Sequence, residues 1–334
     1  MKFFSYKSAD GTKLGIVQDE MLYDLSMLDP RLPDNMESFL NEWENNLDLV
    51  RQATASISTQ SKKALLNLPI IDAPIPKPGS LRDGYAFRQH VASARRNRGA
   101  DMIAEFDQYP VFYFGNPRTV FGPGPVYCMP DHLEKLDFEL EVGIAISKKG
   151  RNIPAQNADN YIAGLMVMND FSARKLQMDE MLLSLGPAKG KDFATTTGPW
   201  LVTPDELTAF EVPAKAGHIG KAWNLNMTAH INGKELSRGN LSDMDWTFAE
   251  LIERASYGVD LYPGDIIGSG TVGTGCLLEL NGTAKRLDAS YTEQWLQSGD
   301  RITLQIDQLG ELSNTIVREP GTYSLLALKK ANSV

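Results

Sequence analysis

The feature that most constrains this chain is a pair of strongly apolar stretches with carboxylates set into them. KLDFELEVGIAIS (135–147) and IAGLMVMND (162–170) are rich in Leu, Ile, Val and Met, and both read as strands. Strand side chains alternate between faces, so Asp137, Glu139 and Glu141 are expected on one side of LDFELEV, opposite Leu136, Leu140 and Val142. Three like charges that close repel one another. Either that face is solvated and the apolar alternates are buried, or a cation neutralises it. Asp170 closes an almost wholly apolar strand, and its plainest role is a helix cap at Asp-Phe-Ser-Ala. Asp83 adds a carboxylate just after a proline-rich crossing. Together Asp83, Glu139, Glu141 and Asp170 offer the oxygen donors that a hard divalent cation needs: Mg²⁺, Mn²⁺ or Ca²⁺. Zinc fits less well, because these motifs bring no histidine or cysteine to the set.

Around these stretches the pattern is that of an α+β chain. With 334 residues, a prior of about 150 per domain suggests two domains. Residues 1–30 read as short strands with a turn at Asp10-Gly11, and 34–67 as helix from the spacing of Met36, Phe39, Leu40, Trp43, Leu47 and Val50. IIDAPIPKPGS (70–80) reads as a linker or an ordered crossing. Helices are expected at 84–99, 171–184 and 245–258, and further strands at 199–203, 224–231, 265–269, 275–280 and 301–308. Strands without regular βα alternation favour α+β over a doubly wound sheet. The division expected is a small N-terminal α/β domain at 1–75 and a catalytic domain at 76–334.

Several function classes drop out. There are 33 basic residues against 42 acidic, a net charge of −9, which lacks the cationic surplus needed to grip a phosphate backbone. No run approaches 18 uninterrupted apolar residues, and the first residues lack the apolar core of a signal peptide, so the expectation is a soluble, cytoplasmic protein. Cys128 and Cys276 have no partner at metal-ligand spacing and are expected to be small buried residues rather than nucleophiles.

LDFELEVGIAI, YIAGLMVMNDFSARKLQ and LGPAKGKDFATTTGPWLVTPDEL, in this order and spacing over residues 80–285, resemble the fumarylacetoacetate hydrolase family. The resemblance implies a mixed β-sandwich roll for the catalytic domain and a divalent cation held by Asp83, Glu139, Glu141 and Asp170, leaving Asp137 as a neighbour. Asp83-Gly-Tyr-Ala-Phe-Arg-Gln-His90 is similar to the branch in which a histidine seven residues past the metal aspartate accepts a proton. A helix would put Asp83 and His90 on nearly one face. By the same resemblance Glu279 orients His90, Lys191 donates to an oxyanion, Thr195 sits beside the metal, and Tyr85, Tyr113, Gln177 and Thr271 touch substrate. Arg174 is an expected anion clamp, since a guanidinium can bind a carboxylate through two parallel bonds.

This chain departs from that branch at Met181, at the out-of-step cluster Arg95, Arg96 and Arg98, and in a shorter loop between Thr271 and Glu279. All of these fall on substrate recognition. The activity implied is hydrolytic C–C cleavage of a 1,3-diketone acid, fumarylacetoacetate- or acylpyruvate-like, through an enolate at the metal with water activated by His90 and Glu279. The alternatives are a decarboxylase, isomerase or dehydratase of a 2-oxo acid on the same site, or a non-catalytic metal-dependent binding protein. A homodimer is expected on the resemblance alone.

Overall fold

The computed structural model describes residues 1–55, 57 and 63–330. Its centre is a large mixed sheet in the order Met21–Asp24, Gly11–Gln18, Lys2–Ser8, Thr195–Val202, Ile162–Asp170, Leu140–Ile146, Ile266–Gly268, Leu81–Gly84, Phe112–Gly115. Neighbours are antiparallel except Ile266–Gly268 with Leu81–Gly84, which run parallel. A second, five-stranded sheet runs Lys234–Asn240, Asn226–Ile231, Arg301–Ile306, Gly310–Arg318, Gly124–Cys128.

The strands Leu140–Ile146 and Ile162–Asp170 are buried along their whole length, because both faces are covered. On one face Leu140, Val142, Ile144, Leu165 and Val167 pack against Met227, Ile302, Leu304, Leu312 and Ile316 of the second sheet. On the other, Ala145, Ala163, Met166, Met168 and Leu81 share a core with Phe39, Leu40, Trp43, Leu47 and Val50. The α+β reading holds. The sheet is continuous across the expected boundary at residue 75, since Lys2–Ser8 pairs with Thr195–Val202, and the N-terminal helices share a core with the catalytic strands.

Several element expectations are corrected. The helix expected over 34–67 is two helices, Met36–Asn41 and Trp43–Ala55, broken where Glu42 leaves helical geometry; residues 56 and 58–62 of that stretch lie outside the described residues. The 70–80 segment is an ordered crossing: Ile70–Ile71 pairs with Lys2–Ser8, and Ala73 and Ile75 are buried. The strand expected over 135–147 is broken at Phe138–Glu139 into Leu136–Asp137 and Leu140–Ile146. The helix expected from residue 84 starts only at Arg88, because Leu81–Gly84 pairs with Phe112–Gly115 and the Ala86 amide donates to Ser269. The strand expected at 275–280 is the start of the helix Leu277–Leu287. The helix Phe248–Ser256 is borne out, with a Thr247–Glu250 capping box. Among the described residues, no helix is long and apolar enough to cross a membrane.

Candidate active site and metal centre

Strand parity assembles the carboxylates. Asp83 lies two residues after Leu81, Asp170 two after Met168, and Glu141 pairs with Met168. All three therefore leave the sheet on the face of the N-terminal helices, at the edge of that core. Glu139 joins them from the break before Leu140, where its amide donates to Asn169 Oδ1 at 3.0 Å. One oxygen from each of the four lies within 4.8 Å of the others, and all four are buried. Gly268 makes room: a Cβ there would come to 2.3 Å from Asp83 Oδ1.

The four carboxylates are not equivalent. Glu139 Oε1 accepts from Arg174 at 2.7 Å, and Oε2 from the Lys191 ammonium. Burial alone would raise its pKa, but Lys191 and Arg174 outweigh burial and hold it below the usual range. Asp170 Oδ2 accepts from Lys191 at 2.5 Å and from the Tyr113 hydroxyl, while Oδ1 faces Thr195 at 3.4 Å. Burial still raises it. Asp83 receives the Gly270 amide at 3.1 Å, and burial followed by the Asp170 charge pushes it up to about 7. Glu141 has a 3.3 Å bond from Thr271, and burial and the Asp83 charge raise it well above the ordinary value. Its Oε2 is buried with no hydrogen-bond partner.

A buried carboxylate oxygen with no donor, facing other carboxylates, is costly unless a cation completes it. An all-oxygen set of four fits a hard divalent ion. Asp137 is excluded from this set: its oxygens are committed to the Leu277 and Leu278 amides and to Arg174.

A buried His90–Glu279 pair sits beside this cluster. His90, on the helix Arg88–Asn97, points Nδ1 at Glu279 Oε2, 2.8 Å away, with both residues buried. A carboxylate only accepts, so Nδ1 carries the proton and Nε2 is left as the basic nitrogen. Glu279 Oε2 also receives the Thr274 amide at 3.0 Å. The Tyr85 ring meets His90 edge-on, centroids 5.8 Å apart. Asp83 and His90 do not share a helix face, because Asp83 ends a strand; the tertiary fold brings them to one site.

Arg174, expected to clamp an external anion, has its guanidinium engaged by Asp137, Glu139 and Gln177 Oε1. Gln177 is thereby tied to Arg174. The exposed Met181 follows at the end of the same helix. Arg95, Arg96 and Arg98 bond Asp101, Ser93 and Ala94 on or beside their own helix. Two participants escaped sequence reasoning. Asn169 was legible only as the middle of MND, and Cys276 comes into reach of His90 and Glu139 only through the fold. Burial and the neighbouring Asp137 charge raise the Cys276 thiol, so it stays protonated and inert.

The fumarylacetoacetate (FAA) hydrolase C-terminal family matches residues 80–317. The chain belongs to this family. Among curated relatives, the oxaloacetate tautomerase YisK of Bacillus subtilis is 30% identical over 249 residues, 74% of this chain and 72% of the relative. The fumarylacetoacetase of Oryza sativa is 34% identical over 244 residues, 64% of this chain and 53% of the relative. In the FAA hydrolase fold, a maleylpyruvate hydrolase from Sphingobium sp. SYK-6, solved with manganese(II) and pyruvate, superposes with a TM-score of 0.67 at 21% identity. That superposition covers 96% of this chain and all of the other.

Proposed function

We propose that this FAA hydrolase family enzyme cleaves a C–C bond in a small 1,3-diketone acid of the acylpyruvate or fumarylacetoacetate type, by metal-assisted hydrolysis. The observation that carries the reading is the buried His90–Glu279 pair, 2.8 Å apart, beside the four-carboxylate cluster. Asp83, Glu139, Glu141 and Asp170 would hold Mg²⁺, Mn²⁺ or Ca²⁺, which supplies Lewis-acid polarisation of substrate oxygens when bound.

The chain's own groups do the rest. His90 Nε2 takes a proton from water as its oxygen attacks the substrate carbonyl, and Glu279 holds the ring and stabilises the imidazolium. The bond between that carbonyl carbon and its neighbour breaks, and its electrons pass to the departing carbon as an enolate. Lys191, buried and kept protonated by Asp170 and Glu139 against the effect of burial, donates to the developing negative charge. The proton on His90 then returns to the departing carbon. Tyr85, Tyr113, Gln177 and Thr271 are assigned to substrate contact on the family resemblance, with Tyr113 also holding Asp170 and Thr271 bonding Glu141.

A second reading, oxaloacetate tautomerisation, is favoured by the name of the 30% identical relative. It needs proton transfer between carbon and oxygen but no water attack. The two separate on one panel: acylpyruvates and oxaloacetate with Mn²⁺, followed by ultraviolet absorbance and by product analysis. Carboxylic acid released with pyruvate supports hydrolysis; enol–keto interconversion with no cleavage overturns it. The same reading takes the working unit as a cytoplasmic homodimer, on the resemblance alone, and sedimentation velocity checks the stoichiometry.

A further inference from the structure

Asp137 is fully buried and accepts four hydrogen bonds, yet it belongs neither to the carboxylate cluster nor to the acid–base pair. Oδ1 takes the Leu277 amide at 2.6 Å and the Phe138 amide at 2.9 Å. Oδ2 takes the Leu278 amide at 2.9 Å and Arg174 Nε at 2.8 Å. The Leu277–Leu287 helix has Cys276 at its N-cap, which makes no capping bond of its own. Its first two amides therefore rest on a carboxylate 140 residues earlier in the chain. Glu279 stands one residue beyond those two amides, so the rotation of this helix about Asp137 sets where its carboxylate meets His90. Through its other oxygen Asp137 holds Arg174, whose NH2 group grips Glu139.

The geometry points to Asp137 as a positioning residue that couples the two halves of the site: it sets Glu279 against His90 through a helix N-terminus, and Glu139 in the cation cluster through Arg174. All four of its partners are donors. Asparagine in the same place would set an amide N–H₂ against two of them and remove the charge opposite Arg174. Outer-shell partners of this kind cost roughly 10–100-fold in affinity or activity when replaced.

This rests on the reading of the site as a cation-dependent hydrolytic centre. The test is Mn²⁺ titration calorimetry together with kcat on an acylpyruvate, in wild type, Asp137→Asn, Glu279→Gln and the double variant, with near-ultraviolet circular dichroism as the check on folding. Asp137→Asn is expected to fold, to weaken Mn²⁺ roughly tenfold and to lower kcat roughly 10–100-fold. On the Glu279→Gln background its effect on kcat should largely vanish while its effect on Mn²⁺ persists, because the two losses travel by separate routes. A folded Asp137→Asn with unchanged affinity and turnover overturns the proposal, as does full additivity in kcat.

If Asp137→Asn does not fold, Asp137→Asn/Cys276→Ser gives the helix a local hydroxyl cap. It should fold, regain part of kcat and still bind Mn²⁺ weakly. Wild-type affinity in that variant, or failure of both variants to fold, overturns the coupling in favour of a purely structural role. Wild-type protein that binds no Mn²⁺ overturns this and the parent reading together. Wild-type protein that binds Mn²⁺ without turning over acylpyruvates overturns the hydrolysis alone, and the affinity arm still decides on Asp137.

Discussion

Glu139 and Asp170 lie a few ångströms from Asp83 and Glu141, yet the two pairs are held in opposite ways. Glu139 and Asp170 are matched by Lys191 and Arg174, cations of the protein itself. Asp83 and Glu141 face one another with a single amide and a single hydroxyl for company. In the first pair the cations hold Glu139 low, so its charge is a source of stability that is lost when a partner is removed, while Asp170 is offset only in part and stays raised by burial. In the second, charge is a liability that a bound cation would offset. A metal centre of this kind is half structural and half held open, and the two halves should respond to substitution with opposite signs.

The largest effect should leave this contrast untouched. His90→Ala removes the base but no carboxylate, so kcat is expected to fall about 10²–10⁴-fold with Mn²⁺ affinity intact, measured by steady-state kinetics and calorimetry. Altered affinity would mean that the acid–base pair and the cation cluster are not separate devices.

Next comes Glu139→Gln, which takes one carboxylate partner each from Lys191 and Arg174 and leaves them Asp170 and Asp137. Leaving a buried charge wholly unpaired costs about 3–5 kcal/mol, so with Asp170 and Asp137 still in place urea denaturation of the metal-free protein should show a loss below that range. Stability equal to wild type would break the comparison at its paired half.

The pH dependence follows from the open half. Asp83 is raised to about 7 in the folded chain, and Glu141 and Asp170 are raised as well. A carboxyl whose folded pKa lies above its unfolded one stabilises fully below the unfolded pKa and loses that contribution as pH rises through the folded one. Metal-free protein should therefore lose stability between roughly pH 4, the ordinary carboxylate range, and pH 7. Glu139, held low, acts only below that window. Melting scans with chelator, then with Mn²⁺, should show a larger metal-induced gain at pH 8 than at pH 5; an equal gain counts against the open half.

The smallest effect is the most specific. Glu141→Gln should weaken Mn²⁺ binding but raise the Tm of the metal-free protein at pH 8, by about 1–2 °C for each kcal/mol of repulsion relieved. A lowered Tm would mean that Glu141 is paired after all.

How much of this could be read from the sequence depends on the distance over which each position is decided. Asp170 at the end of IAGLMVMND was legible because a local pattern, an apolar strand ending in a carboxylate, places it. The apolar cover on 140–146 was legible for the same reason, and so was the capping box of the 248–256 helix. The break at Phe138–Glu139 and the helix at 277 were not. Each depends on the other through Asp137, and neither segment carries the cap or the turn chemistry that would announce it. The Asp83–His90 relation failed likewise. Gly84 and Tyr85 look permissive of helix, but pairing with Phe112–Gly115 keeps the chain extended there. Residues that the family resemblance singles out lie together in the fold, whereas the local geometry that presents them was set by contacts far away in sequence.

The parallel pairing of Leu81–Gly84 with Ile266–Gly268 has a consequence for how the molecule is made. Asp83 is synthesised well before the glycine beside it, Gly268, and His90 is separated by 189 residues from the glutamate that meets it. A nascent chain can build the Lys2–Ser8 to Gly11–Gln18 hairpin at once, whereas the packing around Asp83 and the His90–Glu279 pair wait for segments made much later. Non-local closure of this sort is slow. A chain truncated just before the 277–287 helix would keep the four clustered carboxylates and lose Glu279 together with the two helix amides that Asp137 holds.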